Sequence, residues 1–313
     1  MMKVVFMGTP EFAVPSLQAL YDYDCEVVGV FTQPDRPKGR GNKMQMSPVK
    51  ELALAHGTPV FQPEKIRKDG LEALTALAPD LCVTAAFGQI LSQKVLDVPK
   101  LGTINVHASL LPRHRGSAPI NWAIMEGDAF TGVTTMFTER GIDTGDMLLS
   151  EKTRIGFDET SEQLTARLST IGAKVLVDTI KALEAGTLQR IPQKEEDATY
   201  DPMLTKEMGD IDWKLCGAEI DCRVRGLNPW PGTYCQTAGG VLKIRGVEFA
   251  AGSGEPGTVL AADSKNGLIV ACGDGEAVRV TVLQAPGGKA MSSRDYFRGH
   301  TMKTDIKLWE EEL

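Results

Sequence analysis

The stretch Thr103–Ile120, TINVHASLLPRHRGSAPI, decides how the first half of this chain is read. Neighbouring side chains of an extended strand point to opposite faces. Ile104, Val106 and Ala108 therefore share one face, and Thr103, Asn105, His107 and Ser109 share the other. This alternation predicts a half-buried strand whose polar face carries an amide and an imidazole about 7 Å apart. The chain has only four histidines in 313 residues. The run Ser109-Leu110-Leu111-Pro112 is too short and too abruptly stopped to be a helix. It reads as an apolar loop able to wall a flat ligand, with Arg113 and Arg115 beside it to meet an anion.

Working outward, the runs Lys3–Gly8, Glu26–Thr32, Leu81–Gly88, Gly102–Ser109 and Gly132–Glu139 are short, apolar or alternating, and bounded by turn residues. Helix-length stretches (Pro15–Tyr21, Pro48–His56, Leu71–Ala78) lie between several of them. Strand and helix in alternation predict an α/β fold, a Rossmann-like and mostly parallel sheet with helices on its faces. Ligands of such sheets bind beyond the C-terminal ends of the strands, where His107 and Ser109 fall. A capping box of Thr160 and Gln163 then opens a helix whose apolar face runs from Leu164 to Leu183, until Gly186 ends it.

The polar, irregular segment 189–205 reads as a linker. Beyond it the texture changes to short strands at Gly240–Phe249, Gly257–Ala262, Gly267–Ala271 and Ala277–Gln284, with Asn266-Gly267 as a tight-turn signal. A helix near Cys216–Arg225 precedes them. The prediction is a domain over 1–188 and, over 206–313, a small OB-like β-barrel. In Asn228-Pro-Trp-Pro-Gly232 the expectation is a rigid turn whose indole packs between domains.

Composition narrows the function classes. Six cysteines show no CxxC pair and no His-bearing cluster, which argues against zinc and disulfide frameworks and for reduced thiols. The start, MMKVVFMGTPEF, reads as neither signal peptide nor membrane span. A net charge of −7 argues against a general nucleic-acid binder. One local exception stands out: Arg36, Lys38, Arg40, Lys43 and Lys50 occur with no acid among them. A loop so long and basic suits insertion against phosphates.

Two nucleotide motifs fail. Gly8 is followed by Thr-Pro-Glu-Phe rather than by further glycines, and Ala285–Ala290 lacks the upstream glycine and hydroxyl of a P-loop. A third polar element, Gly141-Ile-Asp-Thr-Gly-Asp146, frames two carboxylates with glycines. If one of them returns beside His107, it would orient the ring and favour its cation. No motif pairs a serine or cysteine nucleophile with that histidine, so direct transfer fits better than a covalent intermediate.

Taken together, MKVVFMGTPEFAVPSL, FTQPDRPKGRG…SPVK, INVHASLLPRHRGSAPI, GIDTGDML, GDIDW and RGLNPWPG resemble the methionyl-tRNA formyltransferase family of folate-dependent formyltransferases. The likeness runs from Met2 to about Gly299, with the family's order and spacing. It implies a Rossmann-like formyltransferase domain, an OB-like C-terminal domain that binds tRNA, and catalysis by Asn105, His107 and Asp143. It further implies folate contacts at Ser109, Leu110, Leu111 and Pro112, and tRNA contacts at Arg36, Lys38, Arg40 and Lys43. The donor would be 10-formyltetrahydrofolate, the acceptor initiator methionyl-tRNA, with no metal. A monomer in the cytoplasm is expected. His114 receives no role. A related transferase acting on a sugar-nucleotide amine would share the same three polar residues; a nucleic-acid-binding regulator on an inactive transferase fold would have no use for them.

Overall fold

Val4, Val5, Phe6 and Met7 are wholly buried, as are Leu81, Cys82 and Val83. A strand apolar on both faces belongs at the centre of a covered sheet, and these two runs lie side by side there in parallel register. A computed structural model describes residues 1–38 and 43–308. Up to residue 201 the elements are β1 (Met2–Gly8), α1 (Val14–Asp22), β2 (Cys25–Phe31), β3 (Arg36–Lys38), β4 (Lys43–Gln45), α2 (Pro48–Ala55), β5 (Val60–Phe61), α3 (Leu71–Leu77) and β6 (Leu81–Ala85). There follow α4 (Gln93–Leu96), β7 (Thr103–His107), β8 (Arg115–Gly116), α5 (Pro119–Met125), β9 (Phe130–Phe137), β10 (Met147–Arg154), α6 (Ser161–Glu184) and β11 (Tyr200–Asp201).

Seven strands form one sheet in the order β10-β9-β7-β6-β1-β2-β5. The five from β7 to β5 are parallel, and β9 and β10 extend the sheet antiparallel. The mostly parallel α/β sheet expected from the alternation is therefore present. The expected half-buried strand is not: in β7 only Asn105 is partly exposed, because both faces are covered. One cover is α6, whose Leu164, Leu168, Leu176 and Ile180 are wholly buried. It approaches so closely that a Cβ at Gly172 would lie 2.9 Å from a methyl carbon of Val106. Thr160 and Gln163 exchange the expected capping bonds at its start.

The contacts divide the chain into two units, the first made of Met1–Pro119, Phe130–Arg154 and Leu164–Asp201. The second takes residues 120–129 and 155–163 together with the chain from Pro202. Residues 189–201, read above as a linker, thus belong to the first unit. Backbone bonds at Met147–Ile191 and the parallel β8–β11 pair tie them there.

In the second unit, α7 (Gly217–Gly226), β12 (Thr233–Thr237), β13 (Gly240–Ala250), β14 (Val259–Asp263), β15 (Gly267–Ala271), β16 (Ala277–Gln284), β17 (Met291–Ser292) and α8 (Ser293–Tyr296) follow in order. The antiparallel sheet runs β12-β13-β16-β15-β14, with β17 beside β16. Its core gathers Trp213, Ile220, Val224, Leu242, Ile244, Val270 and Val280. Among the described residues no ladder joins β12 to β14. Trp230 is 54% exposed, so its indole is not packed away as expected. All six cysteines are unpaired.

Candidate active site at the end of strand β7

Asn105 and His107 lie on the same face of β7, opposite Met136 and Thr134 of β9. The Thr84 hydroxyl donates to Asn105 Oδ1 at 2.9 Å, which leaves the Asn105 NH2 as the end able to donate. His107 is 6% exposed. Its Nε2 lies 2.8 Å from the carbonyl oxygen of His114. A carbonyl can only accept, so Nε2 carries a proton and Nδ1 is the ring atom left for chemistry.

Nδ1 faces Asp143, whose Oδ2 is 3.7 Å away. That is too long for a hydrogen bond, but such distances often shorten when substrate binds. The backbone amide of Gly116 donates to the same carboxylate oxygen at 2.9 Å. Asp143 adopts a left-handed backbone with φ +51°, a conformation a non-glycine residue keeps only when its surroundings hold it. Gly145 is needed nearby, since any Cβ there would collide with the Phe137 carbonyl. The second carboxylate of this turn points elsewhere: Asp146 pairs with Arg190 at 2.8 Å.

The Ser109–Pro112 loop is stapled from within. Thr134 donates to the Ser109 carbonyl at 2.8 Å and Ser109 donates its hydroxyl to the Arg113 carbonyl at 2.7 Å. Ser109 and Leu111 are buried, so a ligand would meet the half-buried Leu110 and Pro112 and the loop backbone. The serine hydroxyl itself serves the turn.

The residues that hold this end together differ from the expectation: Arg115, expected to meet an anion, is instead buried and committed within the protein, and His114, given no role, is buried beside it. His114 is 3% exposed and its Nδ1 sits 3.0 Å from Asp201 Oδ2. Its amide donates to Thr199 Oγ1 at 2.8 Å. Arg115 is 1% exposed and donates to Glu195, Tyr200 and Gln193 at 2.7, 2.6 and 3.0 Å. The Arg115 guanidinium, and after it the Tyr200 hydroxyl, holds the Glu195 carboxyl below the usual carboxylate range. Gln193 donates to the carbonyls of Asp143 and Gly145 at 2.8 and 2.7 Å. The polar side chains of 193–201 were the only signal, and their partners lie about eighty positions earlier in the chain.

The basic stretch is less free than its composition suggests. β3 and β4 pair antiparallel from Arg36↔Gln45 to Lys38↔Lys43. Arg36 is exposed; Arg40 and the side chains of Lys38 and Lys43 lie outside the described residues. Lys50 is occupied, donating to Asp35 at 2.6 Å and Gln62 at 2.7 Å.

An imidazole, an amide and a carboxylate thus meet at a strand end, and among the described residues no serine or cysteine side chain is bonded to the ring. The formyl transferase family model matches residues 2–180 and its C-terminal domain model residues 203–301. The chain belongs to the formyl transferase family. Among its relatives, the methionyl-tRNA formyltransferase of Geotalea daltonii is 50% identical over 308 residues, 98% of each chain. That of Caldanaerobacter subterraneus is 48% identical, over 96% of this chain and 98% of its own. Solved structures share the fold at lower identity. An N-formyltransferase from Helicobacter canadensis, with folinic acid and dTDP-3-aminofucose, has a TM-score of 0.69 at 18% identity, over 89% of this chain and 98% of its own. HypX from Aquifex aeolicus, in complex with tetrahydrofolic acid, gives 0.63 at 19%, over 99% of this chain and 50% of its own. Among the described residues no helix is long and apolar enough to cross a membrane.

Proposed function

We propose that this chain transfers the formyl group of 10-formyltetrahydrofolate to the α-amine of methionine on initiator methionyl-tRNA. The observation that carries the reading is the meeting of Asn105, His107 and Asp143 at the C-terminal end of β7, in a chain half identical to methionyl-tRNA formyltransferases along nearly its whole length. The folate supplies a formyl carbon already activated on nitrogen. Leu110 and Pro112 offer its ring system a partly open apolar edge beside that end.

As the amine adds to the formyl carbon, negative charge grows on the formyl oxygen. The Asn105 NH2 donates to that oxygen, where preorganised donors act most strongly. His107 joins it through Nδ1–H. Because Nε2–H is committed to His114, this second donor exists only when the ring is a cation, with Asp143 as its counter-charge. Asp143 then takes the proton of the attacking nitrogen, directly or through a water, and passes it toward the departing folate nitrogen. One C–N bond forms, one breaks, and the proton count balances.

The exposed Arg36 of the β3–β4 ladder, with Lys38, Arg40 and Lys43, meets the acceptor-stem phosphates. A reaction on folate and on initiator tRNA, both used in translation, fits work in the cytoplasm. The likeness to an enzyme crystallised with an aminosugar nucleotide is one of fold.

Asp143→Asn tests the chemical reading. The expected result is a transfer rate lowered about 10²–10⁴-fold, with folate binding retained in a direct titration. Full turnover in this variant would remove Asp143 from the mechanism.

A further inference from the structure

The amide of Gln193 has every polar group in use. Its two N–H groups serve the carbonyls of Asp143 and Gly145, and its oxygen accepts from Arg115 Nε. It therefore joins the two pieces of backbone that aim the reacting side chains. On one side stands the Asp143 turn. On the other stand residues 114–116, which hold His107 through the His114 carbonyl and Asp143 through the Gly116 amide. Arg115, between those two bonds, is fixed by burial and by Glu195, Tyr200 and Gln193.

We propose that Gln193 is a positioning residue for formyl transfer: it sets the distance between Asp143 and His107 by tying the carboxylate's turn to the buried Arg115. The proposal rests on the catalytic reading above. Asp143 keeps its left-handed backbone against an intrinsic preference for other conformations. Its side chain has one backbone donor, Gly116, and its own carbonyl is held by Gln193. Without that tie the turn is free to relax, and a misplacement of about 1 Å at a reacting group lowers a rate by about 10²-fold.

Two variants separate positioning from space-filling. Gln193→Ala removes both kinds of bond. Gln193→Glu keeps the size and the acceptor for Arg115, but sets a carboxylate oxygen against the two carbonyls in place of the NH2. Single-turnover formyl transfer and a tetrahydrofolate-binding titration are made on each. The expected result is a transfer rate lowered about 10- to 100-fold in both variants, with folate affinity within about twofold of wild type. A rate within twofold of wild type in either variant overturns the proposal. So does loss of folate binding in step with the rate, which would make Gln193 a general structural residue. The acceptor is whichever amine the wild-type protein formylates. A wild type that ignores charged tRNA but uses a small amine refutes the assigned substrate, while the Gln193 comparison still reads its own result.

Discussion

The end of β7 and the β3–β4 ladder both bear polar groups that the proposed function uses, yet they are built in opposite ways. At β7 the imidazole, the carboxylate and the loop backbone are each held by bonds from other segments, and His107 is almost wholly buried. On the ladder the side-chain bonds among the described residues gather at its root: Asp35, Lys50 and Gln62 bond to one another, and Ser47 bonds Thr32 and caps α2. Arg36 then projects into solvent. Group transfer depends on placement within a fraction of an ångström, whereas attraction to a phosphate chain acts through several diffuse charges.

The comparison breaks most sharply if the pinned end proves replaceable. Asn105→Ala is expected to lower the transfer rate about 10²–10³-fold, the effect of removing one donor to a developing oxyanion. Single-turnover rates at saturating substrates check this; a loss confined to KM would place Asn105 in binding rather than in transition-state stabilisation.

On the ladder the effect is smaller and of a different kind. Arg36→Ala or Arg40→Ala should raise KM for charged tRNA while the rate at saturation holds. The slope of log affinity against log salt should fall by about one for a lost phosphate contact. Use of the formyl donor should not change. An unaltered salt slope in both variants would leave the ladder without its proposed partner.

The smallest expected effect concerns the ladder's root. The Lys50 ammonium, then the Gln62 amide, holds the Asp35 carboxyl below its ordinary value. A carboxyl lowered on folding stabilises the protein above the ordinary carboxylate range, and that contribution is lost as pH falls through the folded value. Asp35→Asn should therefore lower Tm slightly at neutral pH, with the difference from wild type closing as the solution is acidified below about pH 4. A gap that persists unchanged at low pH would mean the pair contributes no linked stability.

What could be read from residue order follows from the range of the interactions. β1, β2, β6, β7 and β9 lie within a few residues of the apolar runs that predicted them, since each run buries itself against its neighbours. β10 escaped notice because it is an edge strand: of MLLSEKTR only Leu148 is buried. Asn105 and His107 were visible from strand alternation. The choice of Asp143 over Asp146 came from family likeness, and the structure places Asp143 beside His107 while Asp146 meets Arg190. The brace of His114, Arg115, Gln193 and Asp201 was not legible, and Arg115 read instead as facing an anion. The brace's bonds span 78 to 87 positions, and no local periodicity marks a side chain whose partner lies that far away.

The most direct test offers the protein four acceptors with 10-formyltetrahydrofolate: charged initiator tRNA, charged elongator methionine tRNA, free methionine and an aminosugar nucleotide. The account predicts efficient formylation of charged initiator tRNA and little transfer to the other three. Transfer to the aminosugar nucleotide with none to charged tRNA would contradict it, keeping the site at β7 and stripping the basic ladder of its purpose.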